Sequence, residues 1–350
     1  MPKLLKVTMG IAAALCLGGL VLPFASGGSV LGKTNAVHSR SYWKAKYRRP
    51  SQIPFPKSDP YSEAKANLGR MLFWDPILSG SRTRSCASCH NPGLSWGDGL
   101  PRAIGEDQKA LPLRTPTLLN VAWIDQFGWT GHFQSLEDVT FGPITGAANM
   151  NLPKKTLIKR LSAIPGYEVA FQHAFGEGKI TPKKIELALA TFQRTIVSTE
   201  APFDRWIAGN KNAISEAAKR GFDLFNNKGR CASCHQGWTF TDGSFHDVGS
   251  AKGKDIGRGK LFPTSVKLQY AFKTPTLRDV ARRAPYMHDG SVSTLEEVID
   301  LYNKGGIDRP SRAEDVRPLH LTESEKADLV AFLKTLNGAP RDVVVPVLPR

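Results

Sequence analysis

The chain has 350 residues, 41% hydrophobic and 9% aromatic, and a formal net charge of +16 from 47 basic and 31 acidic side chains. That apolar content excludes a disordered chain and suffices for two domains of ordinary size. The positive residues are spread along the sequence rather than gathered in a stripe, which together with an export signal argues against nucleic acid as partner; an acidic protein or an anionic membrane surface fits the charge, as does plain surface solvation.

In chain order, Lys3 and Lys6, an apolar run from Val7 to Phe24 and the small residues Ala25, Ser26 and Gly27 have the layout of a signal peptide over 1–26. The run approaches the roughly 20 residues that span a bilayer core, so an uncleaved membrane anchor is the competing reading. Both place the mature chain in the periplasm. Residues 27–60, with Lys44, Lys46, Arg48 and Arg49 and prolines after them, read as a basic arm or linker. Two units then follow, over 61–200 and 201–350.

Of five cysteines, Cys16 falls in the leader, and Cys86, Cys89, Cys231 and Cys234 form two copies of CASCH, ending in His90 and His235. Two cysteines one helical turn apart can reach the two vinyl groups of a porphyrin while the adjacent histidine meets the iron from the same side, so two covalently bound haem c groups are expected. A thioredoxin-type CxxC needs a βαβ context absent here, and a zinc site would need ligands gathered from motifs 145 residues apart. No cysteine remains for a structural disulfide.

The chain is also internally duplicated. The segment Arg114 to Leu118 matches Lys273 to Leu277, and Ser135 to Val139 matches Thr294 to Val298, both at an offset of 159 positions. Helix-like stretches precede each CASCH, at Ser62 to Trp74 and Ser215 to Phe225. Lys155 to Phe175 and Pro182 to Ser198 read as two amphipathic helices, and Thr322 with Glu325 forms a capping box before Leu329, Phe332, Leu333 and Leu336. Strand-like alternation is scarce. The expected fold is all-α, two cytochrome c domains with long loops. On the helix starting at Thr294, Leu295, Val298, Ile299 and Tyr302 share one face, so periodicity alone makes Tyr302 a core residue or an iron ligand.

The two CxxCH units, the Arg114 to Asn120 segment, Trp129-Thr130-Gly131, Gly142-Pro143-Ile144 and the run Thr274 to Val298 occur in an order that resembles the bacterial dihaem cytochrome c peroxidases over nearly all of the chain after its leader. The resemblance implies a peroxidase-type oxidoreductase: hydrogen peroxide reacts at the N-terminal haem, Trp129 relays oxidising equivalents to the C-terminal haem, and an external donor, a protein, is oxidised. The distal ligand of the C-terminal haem lies 17 positions after Pro285. It is methionine in the ordinary peroxidases and Tyr302 here. Tyrosine marks the MauG-like branch, whose type member oxidises tryptophans of a partner protein; Met287 is the alternative ligand.

Three departures bear on the chemistry. The loop Ile104 to Gln108 carries Glu106 where the ordinary peroxidases carry a histidine that caps the N-terminal iron, which implies an open, five-coordinate site. The family's acid-base glutamate is replaced by Asn149 and its neighbouring glutamine by Val139, leaving Glu106, His132 or an ordered water to move the proton. The asparagine that holds an interdomain calcium is Arg114, a cation that opposes Ca²⁺ although backbone oxygens near Arg283 and Pro285 remain. The rival readings are an ordinary peroxidase fed by a small cytochrome, and an electron-transfer cytochrome without catalysis.

Overall fold

The computed structural model describes residues 40–350; the expected signal peptide over 1–26 and the first part of the arm lie outside the described residues. Twelve α-helices occur among the described residues: α1 (Arg40–Tyr47), α2 (Glu63–Trp74), α3 (Cys86–Cys89), α4 (Leu136–Val139), α5 (Phe141–Thr145), α6 (Lys154–Ser162), α7 (Pro165–Phe175), α8 (Pro182–Arg194), α9 (Pro202–Ala208), α10 (Glu216–Asn226), α11 (Leu295–Lys304) and α12 (Glu323–Lys334). Sheet is confined to β1 (Phe245–His246) and β2 (Phe272–Lys273), antiparallel, with Phe245 opposite Lys273. The all-α expectation holds.

Each repeat is built on one crossed helix pair, α2 with α8 and α10 with α12. The first member is capped by a serine: Ser62 accepts from the Lys65 amide and Ser215 from the Ala218 amide. The second is capped by a threonine, Thr181 or Thr322, whose oxygen accepts from the amide three residues on. At each crossing a glycine lets the backbones meet. A β-carbon on Gly69 would lie 1.9 Å from the Ala188 carbonyl oxygen, and one on Gly221 would lie 1.9 Å from that of Asp328. Around the first pair pack Leu68, Leu72, Phe73, Leu157, Tyr167 and Leu189; around the second, Phe203, Phe222, Phe225, Phe240, Leu329 and Phe332.

Two segments differ from expectation. The stretch from Lys155 to Phe175 is two helices, because Pro165 has no amide hydrogen to continue α6 and instead starts α7. The basic arm is not a free linker from Arg40 onward. It forms α1, and Tyr47, fully buried, sits in the core of the second repeat, stacked 5.0 Å from Phe240 and edge-on to Phe203 and Phe222. Its hydroxyl donates to Asn226 Oδ1 at 2.9 Å. Arg49 then crosses to the end of the first repeat, donating to the Ser198 and Thr199 carbonyls. The aromatic residues outweigh the charges between them, since a buried tyrosine removes far more apolar surface from water than the flanking lysines cost at the surface.

The repeats meet reciprocally. The Arg114 amide donates to the His288 carbonyl at 3.0 Å, and the Lys273 amide donates to the Trp129 carbonyl at 2.8 Å. Since Lys273 stands 159 positions after Arg114 and His288 the same number after Trp129, each repeat gives the other the same bond, as across a two-fold axis. The turns that carry Trp129 and His288 are themselves equivalent, closed by Phe127 opposite Phe133 and by Tyr286 opposite Val292. Gly128 (φ 76°) and Met287 (φ 68°) share the left-handed conformation at the same place.

Candidate haem and peroxide site

Both CASCH segments begin a helical turn, Cys86–Cys89 as α3 and Cys231–Ser233 as a 3₁₀ turn. This puts each cysteine pair on one side with its histidine next to it. His90 Nδ1–H donates to the Trp96 carbonyl at 3.1 Å and His235 Nδ1–H to the Phe240 carbonyl at 2.9 Å. Those bonds fix both tautomers and leave each Nε2 lone pair available to a metal. Burial holds both imidazoles below their ordinary pKa, which keeps them neutral and able to ligate. The threonines of the TPTL segments brace the loops alike: Thr117 Oγ1 donates to the Ser95 carbonyl at 2.6 Å and Thr276 Oγ1 to the Thr239 carbonyl at 2.5 Å.

Beside His235 lies a cavity lined among others by Cys231, Cys234, Leu277, Met287 and Tyr302. Tyr302 projects into it from α11, and Met287 from the turn before that helix, so the structure brings both proposed ligands to one space. Burial, followed by the neighbouring Cys234 and Cys231, pushes the Tyr302 phenol well above its ordinary range. Trp129 lines the same cavity from the first repeat. Its indole Nε1–H donates to the Arg114 carbonyl at 2.9 Å, and its ring stands edge-on to that of His288, with centroids 6.5 Å apart.

Three arginines line this cavity, Arg114, Arg283 and Arg230. Arg114 Nη2 donates to the Arg283 carbonyl at 2.9 Å, one of the backbone oxygens that a calcium ion would need. Arg283 is held down to about 10 by burial, reinforced by Arg114. The Nε atoms of both arginines are buried without a hydrogen-bond partner, as is Arg230 Nη1 beside Cys231. Buried cations lacking an anion are costly. The carboxylates of a haem would supply that anion, while the apolar lining suits a porphyrin, and the residues therefore fit the group. Near the first CASCH, Arg84 Nε is likewise unpartnered, and Phe73 lies 6.4 Å from the His90 ring.

The other expected residues divide. The Glu106 amide donates to the Ala148 carbonyl, next to Asn149, and Glu106 Oε1 accepts from the Ser81 amide at 2.6 Å, while Oε2 is buried without a partner. Glu106 and Asn149 are thus brought to neighbouring strands of loop. His132 is exposed and packs edge-on against Phe133, apart from both. His288 was not singled out from the sequence, though the offset from Trp129 leads to it. Buried, it is stacked 3.6 Å from Phe272 and bonded to Asp255 at 2.8 Å. Among the described residues, the one grouping of three side chains with metal-ligand character is Cys234, Asp242 and His246, and Cys234 belongs to the haem motif.

Residues 63–212 match the family described as di-haem cytochrome c peroxidase, and residues 218–337 match cytochrome c. The chain is 47% identical over 347 residues to the methylamine utilization protein MauG of Methylorubrum extorquens, covering 99% of this chain and 98% of that protein. It is 45% identical over 309 residues to the MauG protein of Methylophilus methylotrophus, covering 87% and 92%. A solved MauG-like protein associated with microbial copper homeostasis superposes with a TM-score of 0.77 at 31% identity, covering 83% of this chain and 95% of that one. With two CxxCH sites, a shared interface and these relatives, the chain belongs to the dihaem cytochrome c peroxidase family, on its MauG-like side, and is a peroxide-dependent oxidoreductase with two covalently bound c-type haems.

Proposed function

We propose that this protein acts in the periplasm on a protein partner of methylamine utilisation, removing electrons from it at the expense of hydrogen peroxide. The two haems, when bound, supply peroxide reduction and storage of oxidising equivalents. In the balanced reaction one peroxide O–O bond breaks, two electrons leave the partner, two protons are taken up and two waters form. Cys86, Cys89, Cys231 and Cys234 would hold the groups covalently, His90 and His235 would each offer Nε2 to an iron, and Tyr302 would offer its phenol oxygen to the iron of the second group. Trp129, held between the repeats by its bonds to Arg114 and Lys273, is the residue through which the halves exchange charge. Glu106, beside the turn that holds Asn149, moves the proton at the first site.

The observation that carries this reading is the presence of Tyr302 in one cavity with Cys231, Cys234 and His235. An anionic oxygen ligand favours oxidised iron, which suits an oxidase of proteins better than an electron store. Met287 in the same cavity supports the second reading, an ordinary peroxidase. The test is an EPR and optical spectrum of the ferric holoprotein, wild type, Tyr302→Phe and Met287→Leu, before and after stoichiometric peroxide. We expect one high-spin and one low-spin signal in the wild type, a low-spin signal altered by Tyr302→Phe and unaltered by Met287→Leu, and a spectral response to peroxide. The reverse pattern in the two variants assigns the ligand to Met287; two low-spin signals inert to peroxide would make the protein an electron carrier.

A further inference from the structure

The segment 252–270 folds back on itself as a closed loop. The Asp255 amide donates to the Lys252 carbonyl and the Tyr270 amide to the Ile256 carbonyl, and the Tyr270 hydroxyl reaches the Gly253 carbonyl. Its outer face is unusual for a surface. Leu261, Phe262 and Val266 are 40%, 42% and 57% exposed, and exposed lysines at 252, 254, 260 and 267 belong to the same loop. The single acidic residue of the loop, Asp255, is neutralised by its bond to the buried His288 while its side chain stays 36% exposed. An apolar centre with a one-signed polar rim is the anatomy of a protein interface rather than of a solvated loop.

The underside ties this surface to the contact between the repeats. Arg258 is buried, donates to the Thr130 carbonyl at 2.6 Å and the Gly131 carbonyl at 3.2 Å, and lies 3.9 Å from the Phe245 ring and 4.9 Å from the ring of the exposed Phe262. Asp255 bonds to His288, whose ring meets Trp129. The loop is therefore fastened to both turns that meet at Trp129.

We infer that the loop 252–270 is the docking surface for an acidic redox protein, whose carboxylates face Lys252, Lys254, Lys260 and Lys267 and whose apolar centre covers Phe262 and Val266. The inference deepens the proposed function by naming where and by what chemistry the partner binds. Charge complementarity selects the occupant: a second copy of this chain carries the same strong positive charge and is repelled.

The test uses the holoprotein and a reduced acidic class I cytochrome c as probe, with a basic cytochrome c and anionic phosphatidylserine vesicles as comparisons. Binding is measured by calorimetry at low and high ionic strength, independently of peroxide. Lys254→Glu/Lys260→Glu/Lys267→Glu weakens binding of the acidic probe about tenfold or more and flattens its salt dependence. Phe262→Ser weakens it about fivefold while leaving the salt dependence in place. Reversal of three exposed lysines elsewhere, Lys155, Lys159 and Lys179, changes it less than about twofold. Haem absorbance and circular dichroism show that each variant is folded. Equal losses in the loop and control variants, equal binding of the basic cytochrome, or a loop dependence seen with vesicles alone would overturn the docking surface. A wild type that binds the acidic probe through this loop yet does not respond to peroxide leaves the docking surface standing and removes the peroxidase reading instead.

Discussion

Arg114 places a positive charge where the family resemblance expects a residue that holds a divalent cation. Its guanidinium donates to the Arg283 carbonyl and its amide to the His288 carbonyl, so one side chain supplies both the charge and the cross-link. We expect the holoprotein to be indifferent to chelators: its melting temperature in excess EDTA should match that in calcium. Arg114→Ala should lower stability by about 2 kcal/mol in thermal unfolding, from the lost charged hydrogen bond and the loosened interface. Glu106→Gln should slow peroxide consumption about 100-fold while leaving both haem spectra in place, since it removes the proposed proton carrier and keeps the amide bond to Ala148; an unchanged rate would move that role to water. At this scale the sequence is legible where chemistry demands a fixed spacing, as in the two CASCH motifs. It is not legible where a long side chain reaches across 169 positions, as Arg114 does to Arg283.

The helix pairs were readable from their caps, because Ser62, Ser215 and Thr322 mark helix starts by a local hydrogen bond that needs no tertiary context. The counterpart of α12 in the first repeat was not, since α8 lacks the glutamate that completes the capping box of α12, and its equivalence shows in the shared threonine cap and in the crossing at Gly69. Gly69→Ala and Gly221→Ala should each destabilise the protein by about 3 kcal/mol, as the new methyl group must push two helix backbones apart. Thermal unfolding checks this. Helices α4 and α8 are joined by a two-pronged pair, Arg194 Nη1 and Nη2 to the Glu137 carboxylate at 2.8 and 3.1 Å. Burial of Glu137 opposes its ionisation, but the bonds from Arg194 prevail and hold it below its ordinary value of 4.5. The contribution is therefore present above pH 4.5 and lost as pH falls through the lower folded value. Glu137→Gln should cost about 2 kcal/mol at neutral pH, and the difference from wild type should shrink on acidification.

For the molecule as a whole, the 159-residue offset foretold two similar units, but it could not tell that they face each other through equivalent atoms, Arg114 to His288 and Lys273 to Trp129. That reciprocity places Trp129 and His288 together where the repeats meet, their rings 6.5 Å apart. Tyr47→Ala should cost about 4 kcal/mol, with the loss concentrated in the second repeat, whose core it fills; hydrogen exchange resolved along the chain would show α10 and α12 losing protection before α2 and α8. The basic, proline-flanked setting of this tyrosine hid its destination, because the aromatic cluster it completes comes from residues 203 to 332. The same feature sets a timetable. Tyr47 enters the folding compartment well before Phe332, which follows 285 positions later, so the earlier segment must wait, and the second repeat closes only when that segment returns to it. Threading, rather than the boundary between the repeats, then decides when the second haem site is ready.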